Sequence, residues 1–209
     1  VGKSTLFKII TKNDVNIANY PFCTIDPNVG VVTVPDERVD KLAVMSKAVK
    51  KIPAIVEFYD IAGLVKGANA GEGLGNKFLS HIRETNAIVQ VLRCFPLGDI
   101  LHVENSVDPV RDLEIINTEL ALKDLETVSK RLEGANRDAK SGKKEAFKEV
   151  DILEKAKKLL QEGVGLQLLR NEQYILNLQL LTAKPQLYLL NGKPEDVSEE
   201  LIEKISAEG

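Results

Sequence analysis

The chain has 209 residues, of which 44% are hydrophobic and 28% charged, and a formal net charge of −3. That composition belongs to a soluble globular protein with one sizeable core, or one domain with an inserted piece. It gives no global nucleic-acid signature and no apolar run near the ~18 residues of a membrane span. Two cysteines, Cys23 and Cys94, are too few for a disulfide framework, so a reduced thiol pair in a cytoplasmic protein is expected.

The first residues, Val1-Gly2-Lys3-Ser4-Thr5, match the second half of G-x-x-x-x-G-K-[ST], the phosphate-binding loop. There a glycine lets the backbone approach a phosphate, whose charge also meets the N-terminus of the following helix. Lys3 would reach the β- and γ-phosphates and the Ser4 hydroxyl would bind Mg²⁺. Taken alone the match also reads as an ordinary helix start. The first glycine and its strand would precede Val1, so the sequence reads as part of something longer at both ends.

Ser4 to about Lys12 is expected to be a helix that buries Leu6, Phe7, Ile9 and Ile10. Residues 13–28, with Pro21 and Pro27, read as a polar loop. Val29 to Val34 is a β-branched strand, and Asp36 caps a helix to about Val49. Ala54 to Tyr59 is a second strand that ends at Asp60, followed by Gly63, Gly67, Gly71, Gly73 and Gly75. Leu74 to Thr85 returns to helical spacing, Ala87 to Leu92 is a third strand, and an irregular loop contains His102. From Asp108, apolar residues from Val110 to Leu132 recur every three or four positions and define a long amphipathic helix. Ser141-Gly142 breaks it. A second helix from about Lys144 to Glu162 carries Phe147, Val150, Leu153, Leu159 and Leu160, so an antiparallel helical hairpin is expected. Glu172 to Leu181 reads as a further helix or an extended return, Gln186 to Leu190 as a fourth strand, and Val197 to Glu208 as a last helix. The alternation predicts an α/β fold, a P-loop sheet flanked by helices over 1–106 and 182–209, with a helical insertion over 107–181.

Asp60-Ile61-Ala62-Gly63 is the second anchor of a nucleotide site. An Asp at a strand end holds Mg²⁺ through water, and the Gly63 N–H is free to contact a γ-phosphate. The glycine-rich run beyond it suits a mobile switch. Thr24 either adds a protein oxygen to Mg²⁺ or caps its own turn. Small GTPases place a Gln after this glycine to orient the attacking water. Here the residue is Leu64, so hydrolysis is very slow or another group substitutes. GTPases accept the guanine N–H donors with the Asp of N-K-x-D. The corresponding stretch here is Asn191-Gly192-Lys193-Pro194, and a proline side chain accepts nothing. Discrimination against adenine is expected to be lost, which favours ATP with GTP as the alternative. Gly192 permits close backbone approach to a base edge.

Asn19-Tyr20-Pro21-Phe22-Cys23-Thr24-Ile25-Asp26-Pro27-Asn28, Pro35-Asp36-Glu37-Arg38, Asp60 to Ala68 and Gly71 to Asn76 resemble the YchF group of Obg-like ATPases. Asn117-Thr118-Glu119-Leu120 and Leu181 to Pro185 extend the resemblance along the chain. It implies a translation-factor-class P-loop domain, a coiled-coil hairpin insertion, and a C-terminal TGS domain beyond Gly209. It also implies that a histidine on the loop before the coiled coil positions water, and His102 in Asp99-Ile100-Leu101-His102-Val103 matches it. A neutral imidazole does this near pH 7, while a purely local hydrogen bond is the other reading of His102. His81 reads as structural. The group usually carries Asn-x-x-Glu at the base and uses ATP. This chain departs from that with Glu195 one residue late, in place to face the base if the loop shifts.

Between 130 and 158 there are ten positive and six negative side chains. Such a mixed run is either a solvated helix face or a basic hairpin tip that contacts RNA, and the family's ribosome association strengthens the second reading. Cys94 is expected to be a small buried apolar residue, and Cys23 lies in the switch loop. Two functions follow. One is a slow Mg²⁺-dependent ATPase, with Lys3 and His102 catalytic, Val1, Gly2, Lys3, Ser4, Thr5, Gly63, Asn191 and Gly192 on the nucleotide, and Ser4, Thr24 and Asp60 (through water) on the metal. The other is a non-catalytic or GTP-dependent ribosome- or RNA-binding switch. A monomer without membrane contact is expected in both.

Overall fold

The structure, a computed structural model, describes residues 2–11, 29–61, 81–96 and 106–208. They fall into two compact units, one within 2–62 and the other within 63–209.

The first unit holds helix α1 (Lys3–Ile10), strand β1 (Val29–Thr33), helix α2 (Glu37–Met45) and strand β2 (Ile55–Tyr59). The β-branched runs pair antiparallel, with Val29 opposite Tyr59 and Thr33 opposite Ile55. Helix α1 meets β1 closely at Gly30. A Cβ there would lie 2.1 Å from Thr11 Cγ2 and 3.0 Å from Phe7 Cζ. Phe7 and Thr11 are four residues apart and share one helix face. The expected buried side of α1 is corrected in degree: no residue of α1 is fully buried, Leu6, Phe7 and Ile10 are half-buried, and Ile9 is exposed.

Asp36 caps α2 as expected, accepting from the Arg38 N–H at 2.9 Å. The helix stops at Met45, short of Val49. Lys47 takes a left-handed φ of +50°, and two bonds close the end, Ala48 N–H to Ala43 O at 2.9 Å and Lys47 N–H to Val44 O at 3.3 Å. This is the Schellman pattern, in which glycine is the usual left-handed residue.

The second unit holds strand β3 (Ile88–Arg93), helices α3 (Pro109–Lys140), α4 (Lys144–Gln161) and α5 (Gln173–Leu178), strand β4 (Gln186–Asn191) and helix α6 (Glu199–Glu208). The stretch 172–181 is therefore helical where it is regular. Strands β3 and β4 pair parallel, from Ile88 opposite Gln186 to Arg93 opposite Asn191. A parallel pair needs a long crossover, and α3 to α5 lie in it. Asp108 caps α3 at the Arg111 N–H, 3.1 Å away, with Pro109 at the first helical position.

Helices α3 and α4 pack through Val128, Leu132, Ala135, Leu153, Ala156 and Leu160, and Leu166, Ile175 and Leu180 complete the cluster. Phe147 is exposed, because its neighbour Ala146 takes the inward position and one residue turns a helix by about 100°. A smaller cluster of Leu92, Leu113 and Ile205 joins β3, α3 and α6. The fully buried Asp124 of α3 accepts from Leu181 N–H at 2.9 Å, Thr182 N–H at 2.7 Å and the Thr182 hydroxyl at 2.8 Å. Lys184 Nζ donates to the carbonyls of Arg83 at 3.0 Å and Thr85 at 2.5 Å. Together these bonds fix the lead into β4.

Candidate nucleotide site

The described residues expected to hold phosphate lie in the first unit. Gly2 caps α1 with φ +89° and ψ −8°, a left-handed conformation that glycine adopts without a Cβ penalty. Its carbonyl accepts the Leu6 N–H at 2.9 Å. Lys3 and Ser4 therefore open a helix at the end where backbone N–H groups point outward. Asp60 follows β2 directly, and its carboxylate is ion-paired with Lys3, with the Ser4 hydroxyl close enough to help lower its pKa. The Asp60 side chain is 18% exposed and that of Lys3 36%. Burial works to raise the Asp60 pKa. The Lys3 and Ser4 side chains and the charges of Lys3 and Lys8 outweigh it and hold the carboxyl below its ordinary 3.8.

An ammonium, a hydroxyl and an ionised carboxylate from positions 57 residues apart thus meet beside a left-handed glycine and a helix N-terminus. The hydroxyl and carboxylate are hard oxygen donors of the kind Mg²⁺ takes. Among the described residues no group of three or more His, Cys, Asp or Glu side chains is gathered. A metal here would draw its other ligands from phosphate and water, as Mg²⁺ does. The residues present fit Mg²⁺ carried with a polyphosphate. Thr5 is exposed on the first turn of α1. Val1, Thr24, Gly63, Leu64 and His102 lie outside the described residues.

The residues expected at the base, Asn191 and Gly192, lie in the second unit. Asn191 closes β4, and its carbonyl accepts the Cys94 N–H at 2.8 Å. A Cβ on Gly192 would lie 3.0 Å from Cys94 Cβ and 3.2 Å from Asp196 Cβ, so the glycine also serves packing beneath the loop. Pro194–Asp196 is a single 3₁₀ turn. Asp196 Oδ2 accepts the Lys193 N–H, and the Asp196 N–H returns to the Lys193 carbonyl, both at 2.9 Å. Glu195 is exposed, 3.9 Å from Lys193 Nζ. Cys94 is half-buried, where full burial was expected. Burial, then the Asp196 charge, raises its thiol pKa.

Reading the sequence alone missed Asp196. Its signal is a side-chain acceptor three residues beyond the start of a turn, the spacing of a capping box. It also missed Arg93, buried at the end of β3. The Arg93 guanidinium donates to the carbonyls of Phe95 at 3.2 Å and Pro96 at 3.0 Å and lies 4.2 Å from the Phe95 ring centroid, fixing the turn that leaves β3. His81 is exposed, while its neighbour Ile82 is buried.

Comparison with known proteins finds similar proteins over most of the chain. The family model described as "50S ribosome-binding GTPase" matches residues 1–131. The Bacillus subtilis protein named ribosome-binding ATPase YchF is 48% identical over 203 residues, covering 95% of this chain and 56% of the relative. The Saccharomyces cerevisiae protein named Obg-like ATPase 1 is 50% identical over 210 residues, covering 94% and 52%. The solved structure of the Schizosaccharomyces pombe YchF GTPase aligns with a TM-score of 0.72 at 43% identity, covering 100% of this chain and 59% of that one. The chain spans about half the length of the curated relatives it matches.

Proposed function

The chain belongs to the YchF group of Obg-like ATPases, within the 50S ribosome-binding GTPase family, and on that premise we propose that the full-length protein is a slow, Mg²⁺-dependent nucleoside triphosphatase that prefers ATP and works as a ribosome-associated switch in the cytoplasm. The observation that carries this reading is the meeting of Lys3, Ser4 and Asp60 beside left-handed Gly2. Lys3 takes the β- and γ-phosphates, with Val1, Gly2 and Thr5 supplying the surrounding backbone. Ser4 and Thr24 hold Mg²⁺ directly and Asp60 through water. When bound, the metal neutralises charge that develops on the phosphate oxygens. Gly63 senses the γ-phosphate through its N–H, and His102 orients the attacking water in the place that Leu64 cannot fill. Asn191 and Gly192 meet the base. Residues 1–106 and 182–209 form the nucleotide domain, and 107–181 the coiled-coil insertion.

ATP preference is supported by Pro194, which opens a 3₁₀ turn and whose side chain offers no acceptor, and by the exposed Glu195 beside it. GTP is the second reading, because the family description and the fission-yeast relative are both named GTPases. Titrating the full-length protein with fluorescent ATP and GTP analogues, with and without Mg²⁺, separates the two. ATP is expected to bind more tightly, and Lys3→Ala is expected to weaken it about ten- to a hundredfold through loss of a charged contact. GTP binding far more tightly than ATP, or full affinity in Lys3→Ala, overturns the reading.

A further inference from the structure

Six acids are interspersed with the ten cations between 130 and 158, and four of those cations have acidic partners among the described residues. Arg131 makes two bonds of 2.6 Å to Glu149. Lys143 reaches Asp138 and Lys155 reaches Asp151, each at 2.7 Å, and Lys158 lies 3.9 Å from Glu162. A polyanion approaching that surface meets mixed charge.

Residues 41–52 are built differently. Lys41, Lys47, Lys50 and Lys51 stand there, and no acidic residue occurs between 41 and 56. Lys51 pairs with Asp40 across an exposed contact. Among the described residues, Lys41, Lys47 and Lys50 enter no ion pair. Val44 is 80% exposed, Met45 81%, and Val49 fully. Helix α2 buries none of its nine residues, and an isolated helix of that length is marginal in water. It is held by its end caps. At the C-terminal one a lysine occupies the left-handed position that glycine fills most easily, which adds an ammonium to an already basic stretch.

We propose that residues 41–52 form a docking surface for single-stranded RNA, with the four lysines on phosphates and Val44, Met45 and Val49 against unstacked bases. The inference rests on the ribosome reading above and names the surface that serves it. Charge selects a polyanion, since four local lysines stand out from a chain of net charge −3. The apolar side chains suit RNA better than an anionic membrane. At about 100° per residue, Lys41 falls between Val44 and Met45 around α2, so no continuous apolar face exists to enter lipid. Interspersed cations and apolar groups match a strand that presents phosphates and base faces side by side.

Fluorescence anisotropy of the full-length protein with a labelled, unstructured RNA of about 20 nucleotides tests the proposal. Affinity is expected to fall with salt on a log–log slope near −3, from four phosphates at about −0.7 each. Joint replacement of Lys41→Glu, Lys47→Glu, Lys50→Glu and Lys51→Glu is expected to weaken RNA binding at least about tenfold in about 0.1 M salt. The corresponding Gln set is expected to weaken it less, and both sets to leave ATP-analogue binding unchanged. Unchanged RNA affinity in the Glu set overturns the proposal. So does loss of RNA binding on Lys140→Glu, Lys144→Glu and Lys148→Glu instead, or wild-type binding to phosphatidylserine vesicles without binding to RNA. Failure of the ATPase reading appears separately, as absent nucleotide binding in the wild type.

Discussion

The unit that carries Lys3 and Asp60 and the unit that carries the paired helices are stabilised in different ways. The helical cluster has nine buried apolar residues, and its spine residues Val128, Ala135, Leu153 and Ala156 are fully enclosed. In the described part of the phosphate unit, Val31 is the buried large apolar side chain, and neither α1 nor α2 buries a residue. What orders that unit is a strand ladder, a close contact at Gly30, end caps and an ion pair. Apolar burial is worth about 25 cal/mol per Å², so stability concentrates in the helices. The phosphate unit keeps polar groups near its surface, where a charged ligand reaches them. A site for a multiply charged nucleotide needs exposed cations and oxygen donors, and those are the groups that a deep core excludes.

The contrast predicts its own largest effect. Leu153→Ala removes a fully enclosed side chain from the helical cluster and is expected to cost about 3 kcal/mol in denaturant unfolding. It should leave nucleotide affinity unchanged wherever the protein stays folded. A loss below about 1 kcal/mol would show that the helical cluster is not the stabilising region.

Gly30→Ala is expected to act in the opposite sense on function. The new Cβ meets Thr11 Cγ2 at 2.1 Å, so α1 must shift off β1, at about 1–3 kcal/mol for overpacking. Because α1 carries Lys3 and Ser4, ATP-analogue binding should weaken as well. Wild-type affinity in the folded variant would separate the glycine contact from the site.

The smallest effect is a difference in pH dependence. Asp60 has its folded pKa lowered from 3.8, mainly through Lys3 and Ser4 against the opposing burial. Its contribution is present above 3.8 and lost as pH falls through the lower folded value. Burial raises the Asp124 pKa from 3.8, more than the bonds from Thr182 and Leu181 and the Arg83 charge lower it. Its contribution is greatest below 3.8 and declines as pH rises through the raised value. Thermal unfolding from about pH 3 to 6 should therefore show the gap between wild type and Asp60→Asn shrinking on acidification, and the gap to Asp124→Asn widening. Parallel pH trends for the two variants would sink the distinction.

Much of the fold was legible in the sequence because its causes are local. The helical period from Val110 to Leu132, the cap Asp36, the break at Ser141-Gly142 and the β-branched strands all depend on residues within a few positions of one another, and all four strands appear where they were expected. The site was legible in part. Gly2-Lys3-Ser4 and Asp60 each announce a phosphate chemistry by residue type, and Gly2 takes the left-handed conformation its position demands.

Tertiary structure decided the rest, because it turns on contacts between residues distant in the chain. Only the fold brings Lys3 against Asp60, presses the Phe7–Thr11 edge on Gly30, and seats the Asp124 carboxylate on Leu181 and Thr182. Charge counts behaved the same way. The sequence drew attention to ten cations between 130 and 158. A count along the chain does not say which of them have partners: Lys155 and Lys158 pair at i,i+4 spacing and Lys143 across the turn, while Arg131 finds Glu149 only because the two helices pack. The sequence determined which groups are present and which local shapes they adopt. The three-dimensional arrangement determined which of those groups neutralise one another and which remain to meet a ligand.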